Sequence, residues 1–173
     1  MLNRCILIFT EFDNIEKIDE LREKYDPVVN NVAPHITLVF PFESNIESSI
    51  IKEHIERKIN GIEPFEIELQ GISGEAKNYL FLNVIQGTEE LTLLHNKIYT
   101  EILEKFKPEF LKTTKFKPHL TVGKIDSDIE FEKALKDTEN FDEVFKTVVK
   151  KITVEIIGEN KESIIESEIE LKS

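Results

Sequence analysis

The chain has 173 residues, 40 % of them hydrophobic, which is enough for one well-packed core but too little for two large independent domains. Its net charge of −12 argues against broad, non-specific binding of nucleic acids, because such binding depends on neutralising phosphates. The single cysteine, Cys5, excludes an intrachain disulfide, and the sequence opens with neither a signal-peptide layout nor a long apolar stretch, so we expect a cytoplasmic protein with no membrane segment.

Hydrophobic spacing in the first half of the chain predicts strands and helices in alternation. Apolar runs bounded by turn residues indicate strands, and apolar residues three and four positions apart indicate amphipathic helices. The expected elements are a strand at 4–10, a helix from about Asn14 to the residue before Pro27, a strand at 35–40 ended by Pro41, and a helix from Ile46 to Ile59 ended by Asn60-Gly61.

The second half continues this mixed pattern and ends in a predicted hairpin. The expected elements are a strand around Phe65–Leu69, a strand at Tyr79–Ile85, a helix at about 88–105, a strand at 119–124, a helix capped by Asp128 that runs to about Asp137, and two strands, Val144–Ile157 and Ile164–Leu171, around Gly158-Glu159-Asn160. Interleaved strands and short loops favour a single unit over residues 1–173, with two lobes that meet at a cleft.

A short phrase occurs twice, each time in a predicted strand: Pro34-His35-Ile36-Thr37-Leu38 reappears as Pro118-His119-Leu120-Thr121-Val122. Since alternate residues of a strand share one face, each histidine lies on the same face as its threonine. Two such strands brought together would place two imidazoles and two hydroxyls in one small volume. One imidazole can then accept a proton while the other donates one, and the hydroxyls can bind phosphate oxygens. This combination suits a phosphodiester.

The segment that leads into the second motif is basic although the chain is acidic. Between Lys105 and Lys124 there are six lysines and one acid, interleaved with Phe106, Phe110 and Phe116. Lysines with interleaved aromatics suit a phosphate-bearing ligand whose bases can stack. Alternatively, the segment is a solvated loop that its phenylalanines anchor to the core, and the sequence leaves both interpretations open.

Two other interpretations of the paired histidines have a different chemistry. His35 and His119 could be metal ligands, but neither motif has a nearby carboxylate or thiol, and threonine is a poor ligand. A non-catalytic module could instead hold a nucleotide or a phosphorylated metabolite in the same cleft without turnover. Binding alone does not require two equivalent histidines, so the sequence favours an enzyme.

His54 and His95 fall within amphipathic helices and are expected at helix borders rather than in a site.

With its paired motifs, the chain resembles the 2H phosphoesterase superfamily, also described as 2′-5′ RNA ligase-like or cyclic phosphodiesterase-like proteins. The resemblance rests on His35-Ile36-Thr37-Leu38-Val39-Phe40 and His119-Leu120-Thr121-Val122-Gly123-Lys124, with Tyr79-Leu80-Phe81-Leu82-Asn83-Val84 as a further typical strand. It implies an α/β (α+β) fold that is bilobal and pseudo-symmetric, in which two antiparallel sheets line a central cleft with helices outside.

The resemblance also implies a chemistry, namely metal-independent hydrolysis, without a cofactor, of 2′,3′-cyclic phosphates or 2′-5′ linkages in nucleotides or RNA ends. In this chemistry His35 and His119 are the acid–base pair, and Thr37 and Thr121 are the phosphate-binding hydroxyls. Further residues of types that can recognise a base or a phosphate are Tyr79, Arg4, Lys115, Lys117 and Lys124. The expected partner is therefore a nucleotide or RNA terminus with a cyclic phosphate, not a long duplex.

Overall fold

The computed structural model describes residues 1–172, which form eight strands, four α-helices and two short 3₁₀ helices. The strands are β1 (Leu2–Phe9), β2 (His35–Ser44), β3 (Phe65–Glu75), β4 (Tyr79–Gln86), β5 (His119–Lys124), β6 (Val144–Val149), β7 (Lys151–Ile157) and β8 (Ser163–Glu170). The α-helices are α1 (Glu16–Tyr25), α2 (Ser48–Ile59), α3 (Thr88–Ile98) and α4 (Asp128–Thr138), and the 3₁₀ helices cover Glu101–Phe106 and Glu109–Lys112. The fold is α+β, as the sequence predicts.

All eight strands belong to one antiparallel sheet, with the two motif strands next to each other in its middle. The strand order is β6-β3-β4-β5-β2-β1-β7-β8. A single residue pair, Ile36 with Leu120, joins β2 to β5, whereas the other neighbouring strands share longer registers. The expectation of two separate sheets is therefore not confirmed. Instead, the sheet has a first-motif half (β2-β1-β7-β8) and a second-motif half (β6-β3-β4-β5). The pair Ile36–Leu120 joins the two halves into one sheet.

The sheet is strongly curled, because strands that are consecutive in sequence lie near its opposite edges. β6 is one edge strand and β7 is second from the other edge, yet Lys150 alone separates them in the chain. The segment Val144–Ile157, predicted as a single strand, is therefore two strands. The chain crosses from the second-motif half to the first-motif half at Lys150, and the two edges must approach each other for it to do so.

The two faces of the sheet differ in burial along the motif strands. One face carries apolar side chains that are fully buried in the core beneath the helices: Ile36, Leu38, Leu120 and Val122. The other face, which we call the motif face, carries partly exposed side chains that alternate with them: His35, Thr37, His119 and Thr121. The alternation of apolar and polar residues in each motif thus decides which side chains lie on the motif face.

Pro41 does not end the first motif strand, which continues to Ser44. The register between β1 and β2 shifts between Arg4 and Ile6, so the proline lies at a bulge. Within residues 1–172, β5 pairs with β2 only at Ile36, so no strand on that side needs an N–H from residue 41. A proline is tolerated at such a place because it removes no ladder hydrogen bond.

Two helix boundaries also differ from those expected. The helix predicted to reach residue 105 ends at Ile98, and Glu101–Phe106 forms a separate 3₁₀ helix. Ser127, rather than Asp128, caps α4: its Oγ accepts a hydrogen bond from the backbone N–H of Glu130 at 3.4 Å. No helix in the described part of the chain is long and apolar enough to cross a membrane.

Candidate active site

The four motif residues meet around the contact between β2 and β5. Ile36 pairs with Leu120, so His35 and Thr37 flank this contact on β2, and His119 and Thr121 flank it on β5. The charge of a protonated His35 lowers the pKa of His119, so the two imidazoles are close enough to interact. The tertiary structure thus brings together the two imidazoles and two hydroxyls that the repeated phrase predicts.

Both imidazoles are held in the same way by the backbone. Nδ1 of His35 donates a hydrogen bond to the carbonyl oxygen of Ala33 at 2.8 Å, and Nδ1 of His119 donates to that of Lys117 at 2.7 Å. A carbonyl can only accept, so Nδ1 carries a hydrogen in each neutral ring. Nε2 is then the nitrogen available for proton transfer in both histidines. The two rings are therefore matched in tautomer as well as in position.

An aromatic side chain lies against each imidazole, but the two contacts differ. The Phe81 ring stacks on His119, with ring centroids 3.4 Å apart and an interplanar angle of 11°. The Phe9 ring meets His35 edge-on, at 6.2 Å and 73°. The parallel stack restricts the rotation of the His119 ring more than the edge contact restricts His35. Neither phenylalanine is identified by the sequence pattern, because their strands become neighbours of the motif strands only in the folded protein.

The pKa of His119 is lowered to about 4, and burial is the main cause. Burial disfavours the charged imidazolium, whereas the hydrogen bond to the Lys117 carbonyl favours it. The Lys117 ammonium lowers the pKa further, and the carboxylate of Glu75 raises it. His119 is therefore neutral at pH 7 in the free protein, which is the state that a general base requires.

The pKa of His35 is also lowered, again mainly by burial. The carbonyl of Ala33 and the carboxylates of Glu155 and Asp26 oppose this effect, while the guanidinium of Arg22 adds to it. Arg22 and Asp26 form a buried ion pair, with Nε 2.8 Å from Oδ2, at the end of α1. Each histidine thus has a different set of charged neighbours.

Three of the candidate binding residues lie on the His119 side of the site. Lys124 and Tyr79 are register partners on β5 and β4, and the lysine Nζ is 5.4 Å from the centroid of the tyrosine ring. Lys117 lies two residues before His119, with its Nζ 2.5 Å from Oε1 of Glu75. Lys115 is exposed in the segment before β5. A role for these residues in binding stays a prediction.

Arg4, by contrast, does not lie with the histidines. Its side chain is on the opposite face of β1, where it is 1 % exposed. The guanidinium donates two hydrogen bonds of 2.8 Å to the carboxylate of Glu166 and one of 3.2 Å to Oγ of Ser44. The Arg4 guanidinium is thus paired with groups inside the protein, so we exclude Arg4 from the candidate binding residues.

The sequence pattern also misses a polar network beside His119. Asn83 is the register partner of His119 on β4, and Oγ of Ser73 lies within hydrogen-bonding distance of Asn83 Oδ1 (3.1 Å) and Glu75 Oε1 (3.0 Å). Glu75 in turn binds the Lys117 ammonium. The network connects β3, β4 and the start of β5 on the motif face. Only the pairing of the three strands brings these residues together.

The phenylalanines of the basic segment contact aromatic residues elsewhere in the protein. Phe106 packs on Phe42 with ring centroids 5.0 Å apart, and Phe110 packs on Phe40 at 5.2 Å. Phe116 stacks on His95 at 3.8 Å. These contacts support the interpretation in which the phenylalanines anchor the segment to the rest of the protein.

His54 and His95 are structural residues, but they lie deeper than the helix borders expected for them. They are 2 % and 1 % exposed. Nε2 of His54 donates to the carbonyl of Ile98 at 2.9 Å, and Nδ1 of His95 donates to that of Leu38 at 2.7 Å. These bonds connect α2 to α3 and α3 to β2. Among residues 1–172 there is no group of three or more histidine, cysteine, aspartate or glutamate side chains arranged to hold a metal ion.

One family model and several curated proteins are similar to this chain. The family model of the 2′-5′ RNA ligase superfamily matches residues 10–160. A protein of Bacillus licheniformis named for an assumed phosphoesterase activity is 36 % identical over 112 residues, which are 63 % of this chain and 63 % of that protein. A protein of Bacillus mycoides with the same type of name is 35 % identical over 133 residues, 72 % of this chain and 71 % of its own length.

Solved structures have the same fold at low sequence identity. Escherichia coli LigT without ligand superimposes with a TM-score of 0.65 at 14 % identity, over 99 % of this chain and 98 % of LigT. The protein TT0787 of Thermus thermophilus superimposes with a TM-score of 0.66 at 15 % identity, over 98 % of each chain. LigT has also been solved in complex with 3′-AMP, in a structure that covers 99 % of both chains with a TM-score of 0.61 at 14 % identity.

Proposed function

We propose that this chain, which belongs to the 2′-5′ RNA ligase superfamily, hydrolyses phosphodiesters of nucleotides or RNA termini, with 2′,3′-cyclic phosphates as the substrate class. The observation that carries the proposal is the matched pair of imidazoles. His35 and His119 both donate Nδ1–H to a carbonyl two residues earlier, which leaves Nε2 of each for proton transfer. The hydrolysis removes one proton from water and supplies one proton to the leaving oxygen. It therefore requires one neutral and one protonated imidazole on the same face of the sheet.

The two histidines together supply and remove the protons that the proposed reaction transfers. A neutral imidazole takes a proton from water while the water oxygen bonds to phosphorus. The bond from phosphorus to one ribose oxygen breaks, and the imidazolium opposite gives its proton to that oxygen. The product is a phosphomonoester beside a free hydroxyl, and the two imidazoles have exchanged protonation states. General acid–base catalysis of this kind contributes about 10²- to 10⁴-fold to the rate.

The threonine hydroxyls have a separate role in this proposal. Thr37 and Thr121 lie on the motif face, each two residues after the histidine of its own motif. Their hydroxyls can donate hydrogen bonds to the two phosphate oxygens that do not take part in the reaction. Such donors stabilise the charge that these oxygens gain in the transition state.

The nucleotide part of the substrate is supported by the surroundings of His119. Lys117 and Lys124, which form ion pairs with Glu75 and Asp126 near the surface, lie on one side of the site together with the aromatic ring of Tyr79. Structures of LigT have been solved with ATP, NADP⁺, 3′-AMP and phosphate. A ligand that combines a phosphate with a base fits both observations, so nucleotides and RNA ends are the substrates to test first.

The test is turnover of 2′,3′-cyclic nucleotides and of an oligonucleotide that ends in a 2′,3′-cyclic phosphate, with EDTA present. The wild type is compared with His35→Ala and His119→Ala, and Ile129→Ala serves as a control because Ile129 is 82 % exposed on α4. We expect EDTA-resistant hydrolysis that falls by about 10²-fold or more in each histidine variant and is unchanged in the control. The position of the phosphate in the product identifies the bond that is cleaved.

Other outcomes would overturn the proposal. Binding of these ligands without turnover would identify a non-catalytic nucleotide-binding module that uses the same cleft. Activity lost in EDTA and restored by a divalent cation would point to metal chemistry instead. Full activity in either histidine variant would exclude the two-histidine mechanism.

A further inference from the structure

The two motif strands pair over a short distance, because β2 extends well past the start of β5. Within residues 1–172, Ile36 and Leu120 are the one residue pair between them, yet β5 starts at His119 and β2 continues to Ser44. In an antiparallel ladder, the residues of β2 after Ile36 run alongside those before Leu120. Beyond this pair, the backbone groups on that edge of β2 therefore need partners other than β5.

Two side chains at the end of α3 supply these partners. Nδ1 of His95 donates a hydrogen bond to the carbonyl oxygen of Leu38 at 2.7 Å, and the Tyr99 hydroxyl accepts one from the backbone N–H of Phe40 at 2.9 Å. Leu38 and Phe40 are two residues apart, and alternate residues of an antiparallel strand direct their backbone groups to the same edge. His95 and Tyr99 thus take the place of a neighbouring strand where β5 is missing.

His95 also contacts the segment that leads into the second motif. Its ring stacks on Phe116, with ring centroids 3.8 Å apart and an interplanar angle of 6°. The next residue, Lys117, provides the carbonyl oxygen that accepts the hydrogen bond from Nδ1 of His119 at 2.7 Å. The same imidazole therefore bonds to β2 three residues after His35 and packs three residues before His119.

The His95 ring is held in place and almost inaccessible to solvent. It is 1 % exposed, and it meets the Tyr99 ring edge-on, with centroids 5.0 Å apart at an angle of 70°. Burial lowers the pKa of His95 to about 4, against the hydrogen bond to Leu38, so the ring is neutral at pH 7. A buried ring of this kind does not exchange protons with a ligand, so its contribution lies in its contacts.

His54 shows that burial alone does not produce this arrangement. It is 2 % exposed, and its Nε2 donates to the carbonyl oxygen of Ile98 at 2.9 Å. That bond joins α2 to α3, and both of its partners belong to helices. His95, by contrast, joins a helix to β2 and to the segment before β5.

We propose, on the basis of the proposed function, that His95 is a positioning residue that fixes the separation of His35 and His119. Its hydrogen bond to Leu38 and its stack on Phe116, together called the His95 bridge, hold the two motif strands at one spacing beyond their single residue pair. Without either contact, β2 and the start of β5 can move relative to each other. A displacement of about 1 Å can lower a reaction rate about 100-fold, so this spacing controls the efficiency of the histidine pair.

Three substitutions break the His95 bridge in different ways. His95→Phe keeps an aromatic ring against Phe116 but cannot donate to Leu38, whereas His95→Asn keeps a donor near the position of Nδ1 but loses the stack. Phe116→Leu removes the same stack at a half-buried residue, and it decides the test if neither His95 variant folds. His54→Phe is the matched control, because it removes an equally buried imidazole and its hydrogen bond to a carbonyl.

The first measurement is structural and does not depend on activity. NMR reports the nuclear Overhauser effect between the backbone protons of Ile36 and Leu120, and the ring-proton shifts of His35 and His119. In the three bridge variants we expect a weaker effect and changed shifts, because β2 and β5 lose a connection. The control should lose stability and keep both signals.

Turnover of a 2′,3′-cyclic nucleotide is the second measurement. At a temperature where each variant is folded, the bridge variants should lower kcat by about 10-fold or more and change KM by less, because misplaced imidazoles affect the transition state more than substrate binding. His54→Phe should keep the kcat of the wild type. A purely structural role of His95 would lower the unfolding midpoint and leave kcat unchanged.

The two measurements distinguish this inference from the proposed function. If the NMR signals change but neither the wild type nor any variant turns over substrate, the proposed function fails and the positioning role of His95 stands. An unchanged nuclear Overhauser effect between Ile36 and Leu120 in the folded bridge variants would overturn the inference, with or without activity. Wild-type kcat in those variants, or an equal loss of kcat in His54→Phe, would overturn it as well.

Discussion

Removal of the Arg4 guanidinium tests the distinction between a buried structural cation and a substrate-binding one. The Arg4 and Glu166 side chains are 2 % and 7 % exposed, and two hydrogen bonds of 2.8 Å join them. Arg4→Met fills similar volume but leaves the Glu166 carboxylate buried, with Oγ of Ser48 at 2.5 Å as its remaining donor. The variant therefore isolates an uncompensated buried charge.

The expected cost follows from this geometry. Breaking a buried ion pair by removing one partner costs about 3–5 kcal/mol, because the other charge stays without compensation. With a urea m-value of about 2 kcal/mol/M, this loss lowers the unfolding midpoint by about 1.5–2.5 M. Replacing both partners, in Arg4→Met with Glu166→Leu, removes the buried charge altogether and should recover most of the lost stability.

The pH dependence gives a second check on the same pair. The hydrogen bonds from Arg4 are the main cause that holds the pKa of Glu166 below its usual value. A carboxylate with a lowered pKa contributes stability above its unfolded pKa of about 4.3 and loses it as the pH falls through the folded value. The difference in stability between wild type and Arg4→Met should therefore be full at pH 7 and shrink below about pH 4.

The assay is urea unfolding followed by circular dichroism, since the chain has three tyrosines and no tryptophan for fluorescence. A midpoint for Arg4→Met equal to that of the wild type at pH 7 would refute the argument. So would a variant of normal stability that has lost turnover, because Arg4 would then belong to the site.

Three further predictions concern the site, the packing of α1 and the cysteine. Because burial lowers the pKa of both His35 and His119, the latter to about 4, the optimum of kcat/KM should lie below pH 6.5, the ordinary histidine value. Gly123→Ala should lower the free energy of unfolding by about 1–3 kcal/mol, since its Cβ would lie 2.7 Å from that of Tyr25. Burial raises the pKa of the Cys5 thiol to about 12, so a disulfide reagent should modify it only after unfolding.

Each of these predictions has a result that would contradict it. An optimum at pH 8 would mean that imidazoles of lowered pKa do not control the reaction. Equal urea midpoints for Gly123→Ala and wild type would show that α1 can move away from β5 at no cost. Rapid modification of native Cys5 would show that β1 opens on the time scale of the assay.

The sequence determines the local part of the site. The alternation of polar and apolar residues in each motif separates His35 and Thr37 from Ile36, because successive side chains of any strand point to opposite faces. The second motif strand has the predicted bounds, His119–Lys124, and the α+β content follows from hydrophobic spacing alone. These properties depend on residues one to four positions apart, which a single sequence displays directly.

Tertiary structure decides everything that depends on the register between distant strands. Phe81 stacks on His119 because β4 lies beside β5 in the sheet, although the two residues are 38 positions apart in the chain. The continuity of the two halves rests on one pair, Ile36 with Leu120, and Arg4 lies among core groups rather than in the cleft. Strand pairing minimises the free energy of the whole sheet, so no local pattern specifies which distant residues share a row.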